Sequence, residues 1–258
     1  MEFYYAVLLF TLGFIGSFLS GMLGIGGAIV KFPLLLMIPP VFGFQTFTAH
    51  EVSGISAVDV LFVSVAGVLG YRNGGYLNKS LIILMGGFVL IGSLLGSFGS
   101  GYLTETQVNV VYGFLALLAA IMMFIPKKEV DESHIEQVTF NKPVAAILAF
   151  FVGLGSGIVG AGGGFLLIPI MLLILRIPTR MAIASSLAIT FISSVAGSIG
   201  KISTGQVEYL PAVIIIIAGL MAAPMGAKLS TKLNAKVLEN ILAVLILGTA
   251  MKIWIDLL

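Results

Sequence analysis

The sequence predicts an all-α polytopic membrane protein made of two inverted-topology repeats, each with about five apolar segments and Gly-rich broken or re-entrant helices. Three observations support this prediction: the composition, a motif that occurs twice, and the placement of the basic residues. Of the 258 residues, 59% are hydrophobic and 9% are charged, whereas soluble domains carry roughly 25% charged residues. The composition is therefore that of a protein whose main partner is the lipid bilayer.

The composition also argues against several classes of function. A formal net charge of +2 does not indicate a nucleic-acid partner. The chain has no cysteine, so disulfides, thiol chemistry and Cys-based metal sites are not available. We expect no cofactor and no metal. The first lysine is Lys31, so the beginning of the chain does not have the basic region of a cleaved signal peptide.

A glycine-rich motif occurs twice and defines the repeat. Ser20–Gly27 is followed six residues later by Pro33, and Ser156–Gly163 is followed six residues later by Pro169. The two copies lie at one constant offset, which is typical of a duplicated unit.

Ten apolar segments follow this duplication, five in each half. They cover approximately residues 4–24, 28–42, 48–71, 80–103, 106–126, 143–160, 163–177, 181–200, 208–227 and 236–258. Most are close to the roughly 20 residues that a helix needs to cross a bilayer. The second segment of each half is shorter, and it is either a short span or part of a re-entrant hairpin. We therefore expect a first repeat over 1–126, a polar linker over 127–142 and a second repeat over 143–258.

The basic residues predict the orientation. If each half crosses the membrane an odd number of times and the N-terminus is outside, most of them lie on the cytoplasmic side, as the positive-inside rule requires. These residues are Arg72, Lys79, Lys127, Lys128, Lys142, Arg176, Arg180, Lys228, Lys232 and Lys236. Lys201 and Lys252 lie outside. The prediction is a multi-pass protein of the cell inner (plasma) membrane with both termini outside, a cytoplasmic linker and oppositely oriented halves. A homo-oligomer is compatible with this arrangement.

The glycine turns are the first candidate substrate site. A helix that starts at such a turn presents free backbone N–H groups and a partial positive charge, which favour an anion. Two inverted copies bring two such helix ends toward the middle of the membrane. The alternative is that the glycines only permit close helix packing. The residues concerned are Gly24, Gly26, Gly27, Gly160, Gly162 and Gly163.

The third apolar segment carries acidic residues, which are functional candidates inside a membrane. Asp59 lies in the middle of the segment, and His50 and Glu51 lie near its start. A carboxyl group removed from water can take up and release a proton, and a histidine ring can also do so. Asp59, Glu51 and His50 are therefore candidates for proton coupling. The alternative for Asp59 is a structural hydrogen bond or an ion pair with Lys31. His50 and Glu51 are placed at the outer interface.

The corresponding segment of the second half carries hydroxyl groups instead of charges. Ser186, Thr190 and Ser194 recur every four residues and share one helix face. This face either lines a polar path for an oxyanion, with Ser186 and Thr190 as substrate-binding residues, or bonds to neighbouring helices.

These features favour a secondary transporter of a small anion that is coupled to protons. The chain has no Gly-x-x-x-x-Gly-Lys-Ser/Thr motif for ATP. An anion channel is the alternative, and an intramembrane enzyme is less favoured. No catalytic residue is assigned, because Leu154 breaks the Gly-x-Ser-x-Gly pattern around Ser156, and His50 and His134 lie outside the predicted membrane core.

The paired glycine motifs resemble those of the sulfite exporter TauE/SafE family of membrane transporters. The resemblance covers nearly the whole chain and rests on Gly24–Gly27 with Pro33, Gly160–Gly163 with Pro169, and Gly-rich fourth segments that end near Gly96 and Gly226. It implies transport of small sulfur-containing anions, such as sulfite or organosulfonates. Glu51 and Asp59 are not part of the motif, so their coupling role is inferred from their position alone.

Overall fold

The computed structural model describes residues 3–71, 75–125 and 140–257. Most of the predicted linker therefore lies outside the described residues, together with Arg72, Lys127, Lys128 and His134. Within the described ranges the chain is helical and has no β-strand. The all-α prediction is confirmed.

Ten α-helices and one short 3-10 turn make up the described part of the chain. They are α1 (Phe3–Leu23), α2 (Ala28–Val41), α3 (Ala49–Tyr71), α4 (Lys79–Gly99) with the turn Ser100–Tyr102, α5 (Glu105–Phe124), α6 (Lys142–Val159), α7 (Gly164–Leu173), α8 (Thr179–Ser203), α9 (Tyr209–Ser230) and α10 (Ala235–Leu257). Eight are long and apolar enough to cross a membrane, whereas α2 and α7 are shorter. Each helix corresponds to one apolar segment.

Side chains near the helix starts explain several of these boundaries. The Asn78 side chain accepts from the backbone N–H of Leu81 at 3.0 Å at the start of α4, and Asn141 caps α6 in the same way. Thr104 forms a reciprocal capping box with Gln107 at the start of α5. Each of these side chains satisfies an N–H group that the helix itself leaves without a partner.

The helices pack closely where glycines face a neighbouring backbone. A Cβ added to Gly96 in α4 would lie 2.0 Å from the Leu154 carbonyl oxygen in α6, and one added to Gly21 in α1 would lie 2.0 Å from the Ala223 oxygen in α9. Only glycine fits at such contacts. The α4–α6 and α1–α9 pairs are accordingly held backbone against backbone.

The bundle has two ends, which are named here by their contacts. At the Glu105 end, the backbone N–H of His50 donates to Glu105 and the His50 ring bonds to Gln206. At the Arg180 end, the Arg180 guanidinium donates to the carbonyl oxygens of Thr231 and Leu233. Each end gathers the first residues of some helices and the last residues of others.

Helices α1 and α2 form an antiparallel hairpin that opens at the Glu105 end. Gly27 and Ser20 are adjacent across it, as are Lys31 and Gly16. The Tyr5 ring at its open end packs on Phe44, with 4.9 Å between ring centroids. The hairpin therefore starts and finishes at the same end of the bundle.

Helices α6 and α7 form the counterpart, which opens at the Arg180 end. The end of α6 points toward the Glu105 end, and there the Ile158 oxygen accepts from the Lys201 ammonium. The chain then turns at Gly160–Gly163, and α7 leads back to the start of α8, where Arg180 lies. The two hairpins thus enter the bundle from opposite ends.

Helices α3 and α8 run antiparallel through the centre and are the most buried of the long helices. The Ser198 hydroxyl donates to the Ala57 carbonyl oxygen at 3.0 Å, and further along Gly67 faces Leu187. These two helices form the surface against which both hairpin tips lie.

Candidate functional site

The two glycine turns adopt the same unusual backbone conformation. Gly24, Gly26 and Gly27 have φ values of 75°, 73° and 79°, and their counterparts Gly160, Gly162 and Gly163 have values of 73°, 64° and 79°. Such positive φ angles are accessible to glycine at little cost. Gly27 and Gly163 are the N-caps of α2 and α7. The glycines are therefore required by the turn itself as well as by its close packing.

The tips of the two hairpins meet in the middle of the molecule. A Cβ on Gly26 would lie 3.3 Å from the Ala161 carbonyl oxygen in the other turn, and one on Gly164 would lie 2.7 Å from the Ile25 carbonyl carbon. Cβ atoms on Gly26 and Gly162 would approach the same Thr190 methyl group, at 2.8 and 2.6 Å. The structure thus brings both predicted turns together beside Thr190.

The three hydroxyl groups on the predicted polar face of α8 differ in their hydrogen bonds. Ser186 donates to the Gly24 carbonyl oxygen at 2.8 Å, which ties α8 to the first turn. Ser194 donates within its own helix, to Phe191. The buried Thr190 hydroxyl has no hydrogen-bond partner among the described residues. Ser186 and Thr190 therefore lie at the turns, and Ser194 is occupied elsewhere.

Asp59 forms a buried ion pair with Lys31. The Lys31 ammonium contacts Asp59 Oδ2 and donates to the Ser17 hydroxyl at 3.0 Å, and the two charged side chains are 1% and 0% exposed. Asp59 Oδ1 has no hydrogen-bond partner among the described residues. Breaking such a pair leaves a buried charge uncompensated, which costs several kcal/mol. The pairing anticipated as an alternative from the sequence is present.

Lys31 reaches this position because two glycines leave room for it. A Cβ on Gly16 would lie 2.2 Å from Lys31 Cγ, and one on Gly27 would lie 2.8 Å from Lys31 Cε. The ammonium is thereby held against the first glycine turn. The hydroxyl of Ser20 in the same turn is buried and has no described partner. A cation, a free hydroxyl and a helix start are therefore adjacent.

His50 and Glu51 do not join this group. His50 lies nine residues before Asp59, which is roughly 13 Å along a helix. Glu51 forms a reciprocal pair of hydrogen bonds with Thr48 at the start of α3. The His50 ring nitrogens face Gln206 Oε1 and the Leu103 carbonyl oxygen, each at 3.0 Å. Both residues belong to the Glu105 end.

A second buried lysine was not recognised as buried from the sequence. The sequence predicts Lys201 on the outer side of the membrane, and the structure places it in the last turn of α8, where it is fully buried. Its ammonium donates to Ser100, to the Ile158 carbonyl oxygen and to Gln206, each at 2.8 Å. The signal in the sequence that could have indicated its burial is a single lysine at the end of an apolar segment. Its burial is not predicted because the apolar segment is predicted to end at residue 200, whereas α8 continues to Ser203.

The family comparison adds the wider context of this site. A family profile described as "Sulfite exporter TauE/SafE" matches residues 9–253, which include both glycine turns, Lys31 and Asp59. The chain belongs to this family. It is therefore a membrane transporter with multiple membrane-spanning helices.

Several curated relatives of this TauE/SafE chain match it over most of their length. The "Probable membrane transporter protein YunE" of Bacillus subtilis is 26% identical, with 93% of this chain and 94% of that protein covered. A probable membrane transporter protein of Xylella fastidiosa is 28% identical, with coverages of 92% and 90%. MJ0441 of Methanocaldococcus jannaschii, with the same description, is 27% identical, with coverages of 89% and 86%. No solved structure matches the chain.

Proposed function

We propose that this TauE/SafE protein is a secondary transporter of a small sulfur-containing anion, such as sulfite or an organosulfonate, and that it is coupled to protons. The observation that carries the proposal is the meeting of two glycine-tipped hairpins beside α3 and α8, next to a buried Lys–Asp pair. Small sulfur oxyanions are the substrate class suggested by the family's description.

The glycine turns provide the binding groups for the anion. Helices α2 and α7 both begin at the centre of the molecule, so their partial positive charges and free N–H groups point toward one region. Thr190 offers a hydroxyl that the described residues leave unused. Ser186 positions the first turn through the Gly24 oxygen. These groups suit an oxyanion in a site that excludes water.

Alternating access is supported by the arrangement of the helices. If the two hairpins re-enter from opposite faces, α3, α4 and α5 cross in one half and α8, α9 and α10 in the other. If each helix is replaced by its counterpart in the other half, the α1–α9 contact becomes the α6–α4 contact. In the same way the α3–α9 contact becomes the α8–α4 contact. These equivalent contacts support a two-fold repeat, and the oppositely entering hairpins support an inverted one, in which one unit would rock against the other around a central site.

The membrane orientation follows from the basic residues. Arg180, Lys228 and Lys232 lie near the Arg180 end, so this end faces the cytoplasm according to the positive-inside rule. The linker is then cytoplasmic and both termini are outside, in the inner (plasma) membrane. Asp59 is the proton-coupling group, since it is the acidic side chain at the centre of the bundle.

Transport by purified protein in liposomes tests the proposal. We expect saturable uptake of sulfite or methanesulfonate that a proton gradient accelerates, and counterflow when the same anion is loaded inside. An anion channel, the other candidate, would conduct without counterflow. Protein-free liposomes are the control. Uptake of none of the sulfur anions by protein of verified orientation would refute the proposed substrate class.

A further inference from the structure

We propose that Lys31 holds the transported anion, and that the anion and the Asp59 carboxylate compete for this one ammonium group. One proton then travels with each monovalent anion, in the same direction. The inference rests on the proposed function and deepens it, because it names the binding cation, the stoichiometry and the charge of the substrate.

The geometry places Lys31 where an anion at the first glycine turn would contact it. The ammonium lies against Gly27, the N-cap of α2, and beside the Ser17 hydroxyl. The Ser20 hydroxyl and Asp59 Oδ1 are buried without a described partner. A cation with adjacent hydroxyl and backbone N–H groups is the usual composition of an oxyanion site. In this conformation the Asp59 carboxylate takes the position of the anion.

Charge balance then decides which species can cross. The Lys31–Asp59 pair is neutral overall, and so is protonated Asp59 together with Lys31 and a bound monoanion. A proton bound alone would leave one buried positive charge, and an anion bound alone would leave one buried negative charge. Uncompensated charge in a low-dielectric interior is strongly disfavoured. Only the empty and the doubly loaded forms therefore reorient readily.

The proton step is simple. A proton from water adds to a carboxylate oxygen of Asp59, which ends its ion pair with Lys31. The ammonium then pairs with the incoming anion. On the other side the proton leaves, and the carboxylate displaces the anion from Lys31.

The same balance selects the substrate by charge. A monoanion, such as a sulfonate or hydrogensulfite, neutralises the site with one proton. A dianion, such as sulfate or thiosulfate, leaves one negative charge uncompensated. We therefore expect monovalent sulfur oxyanions to be transported in preference to divalent ones.

No other ionisable group faces Asp59 from the described helices packed against α3. The charged residues of those helices other than Lys31 lie in their first or last turns. They are Glu105, Lys142, Arg180, Lys201 and Lys228. Tyr112, in the middle of α5, donates its hydroxyl hydrogen to the Ile29 carbonyl oxygen. On the α1 side, Lys31 donates to the Ser17 hydroxyl. On the α9 side, Asp59 Oδ1 faces Gly219. The exchange therefore involves Lys31 and Asp59 alone.

Anion binding as a function of pH tests the inference directly. The probe is methanesulfonate, which stays a monoanion across the working range, and binding to the purified protein is measured by calorimetry. If one proton enters with each anion, the dissociation constant rises about tenfold per pH unit wherever Asp59 is ionised in the free protein and protonated in the complex. In Asp59→Asn no carboxylate competes for Lys31, so this slope should disappear over the pH range in which the unpaired ammonium keeps its proton.

Two further variants separate binding from folding. Lys31→Gln/Asp59→Asn removes both charges, so it leaves no unpaired ion, and it should fold but bind roughly 10- to 100-fold more weakly. Lys201→Gln removes a buried lysine elsewhere, and it should keep the slope of the wild-type protein. Size-exclusion profiles verify the fold of each variant.

The outcomes distinguish this inference from the proposed function. If the wild-type protein binds and transports methanesulfonate but the slope is absent, or survives in Lys31→Gln/Asp59→Asn, the counter-ion exchange is wrong and the transporter assignment stands. Equal transport of sulfate and methanesulfonate would also overturn it. If the wild-type protein binds and transports none of sulfite, methanesulfonate and sulfate, both proposals fail together.

Discussion

At the scale of single residues, the glycines of the two turns meet two requirements, a positive φ and a close contact with a neighbour. The effects of the two can be separated. Gly26 has a positive φ and also faces the Thr190 methyl group, 2.8 Å from where a Cβ would lie. Gly205, in the turn between α8 and α9, has a φ of 69° but no atom within 4 Å of its Cβ position. Both positions have a positive φ, but only Gly26 has atoms close to its Cβ position.

Alanine at these two glycines should therefore destabilise the protein to different extents. Gly205→Ala introduces backbone strain alone, about 1–2 kcal/mol. Gly26→Ala adds overpacking, which typically costs a further 1–3 kcal/mol, so its apparent melting temperature in detergent should be lower. Thr190→Ser in the Gly26→Ala background removes the obstructing methyl group and should recover part of the loss. Equal melting temperatures for the two alanine variants would show that the close contact is unimportant.

The buried lysines also differ at this scale. Lys31 pairs with a carboxylate, whereas the Lys201 ammonium is surrounded by neutral oxygens of Ser100, Ile158 and Gln206. At Lys31 one anion can replace another, whereas none of these three partners of Lys201 is an anion that a substrate could displace. This is the physical reason for assigning exchange to Lys31 and a fixed position to Lys201.

At the scale of elements, the contact between α4 and α6 depends on glycines along one face of each helix. Gly92 and Gly96 in α4 face the backbone of α6, and Gly153 and Gly157 in α6 face the backbone of α4. Within a bilayer the hydrophobic effect does not drive helices together, so close packing must do so. The two helices should separate if this face is filled.

Leucine at Gly96 should accordingly disrupt the bundle, while leucine at Gly87 should not. A Cβ on Gly96 would lie 2.0 Å from the Leu154 carbonyl oxygen, but Gly87 on the same helix has no atom within 4 Å of its Cβ position. We expect Gly96→Leu to lose most of its monodisperse peak in detergent, as measured by size-exclusion chromatography. Wild-type behaviour of Gly96→Leu would contradict the α4–α6 packing.

At the scale of the whole molecule, the two hairpins and the six remaining helices give each half the same sequence of elements. If the halves are inverted, positions that follow corresponding helices must lie on opposite faces of the membrane. Tyr102 follows α4 and Thr231 follows α9, and both are exposed. The absence of cysteine from the chain allows each position to be labelled singly.

Cysteine labelling should therefore place these two positions on opposite sides. In intact cells, Tyr102→Cys should react with a membrane-impermeant maleimide, and Thr231→Cys should react only after the membrane is opened. The cysteine-free parent protein controls for background labelling. Labelling of both positions from the same side would rule out the inverted arrangement.

The sequence by itself determined the class of the protein and its helices. The segment predicted over 48–71 is α3, Ala49–Tyr71, and the short second segments are α2 and α7. Hydropathy and length are local properties, so they can be read from consecutive residues. The segment predicted over 163–177 ends earlier, at Leu173, and the chain turns at Arg176, whose φ of 54° is left-handed and does not continue an α-helix. The duplicated motif likewise identified the turns.

Only the tertiary structure decided what surrounds these residues. It shows that the two turns, 136 positions apart in the chain (Gly26 and Gly162), both contact Thr190, and that Lys201 is buried by Ser100 and Gln206. It also selects the Lys31 pair for Asp59 from the alternatives that the sequence left open. These contacts join residues on different helices, so they depend on how the helices cross. No pattern along a single segment specifies that crossing, because it is set by the packing of all ten helices.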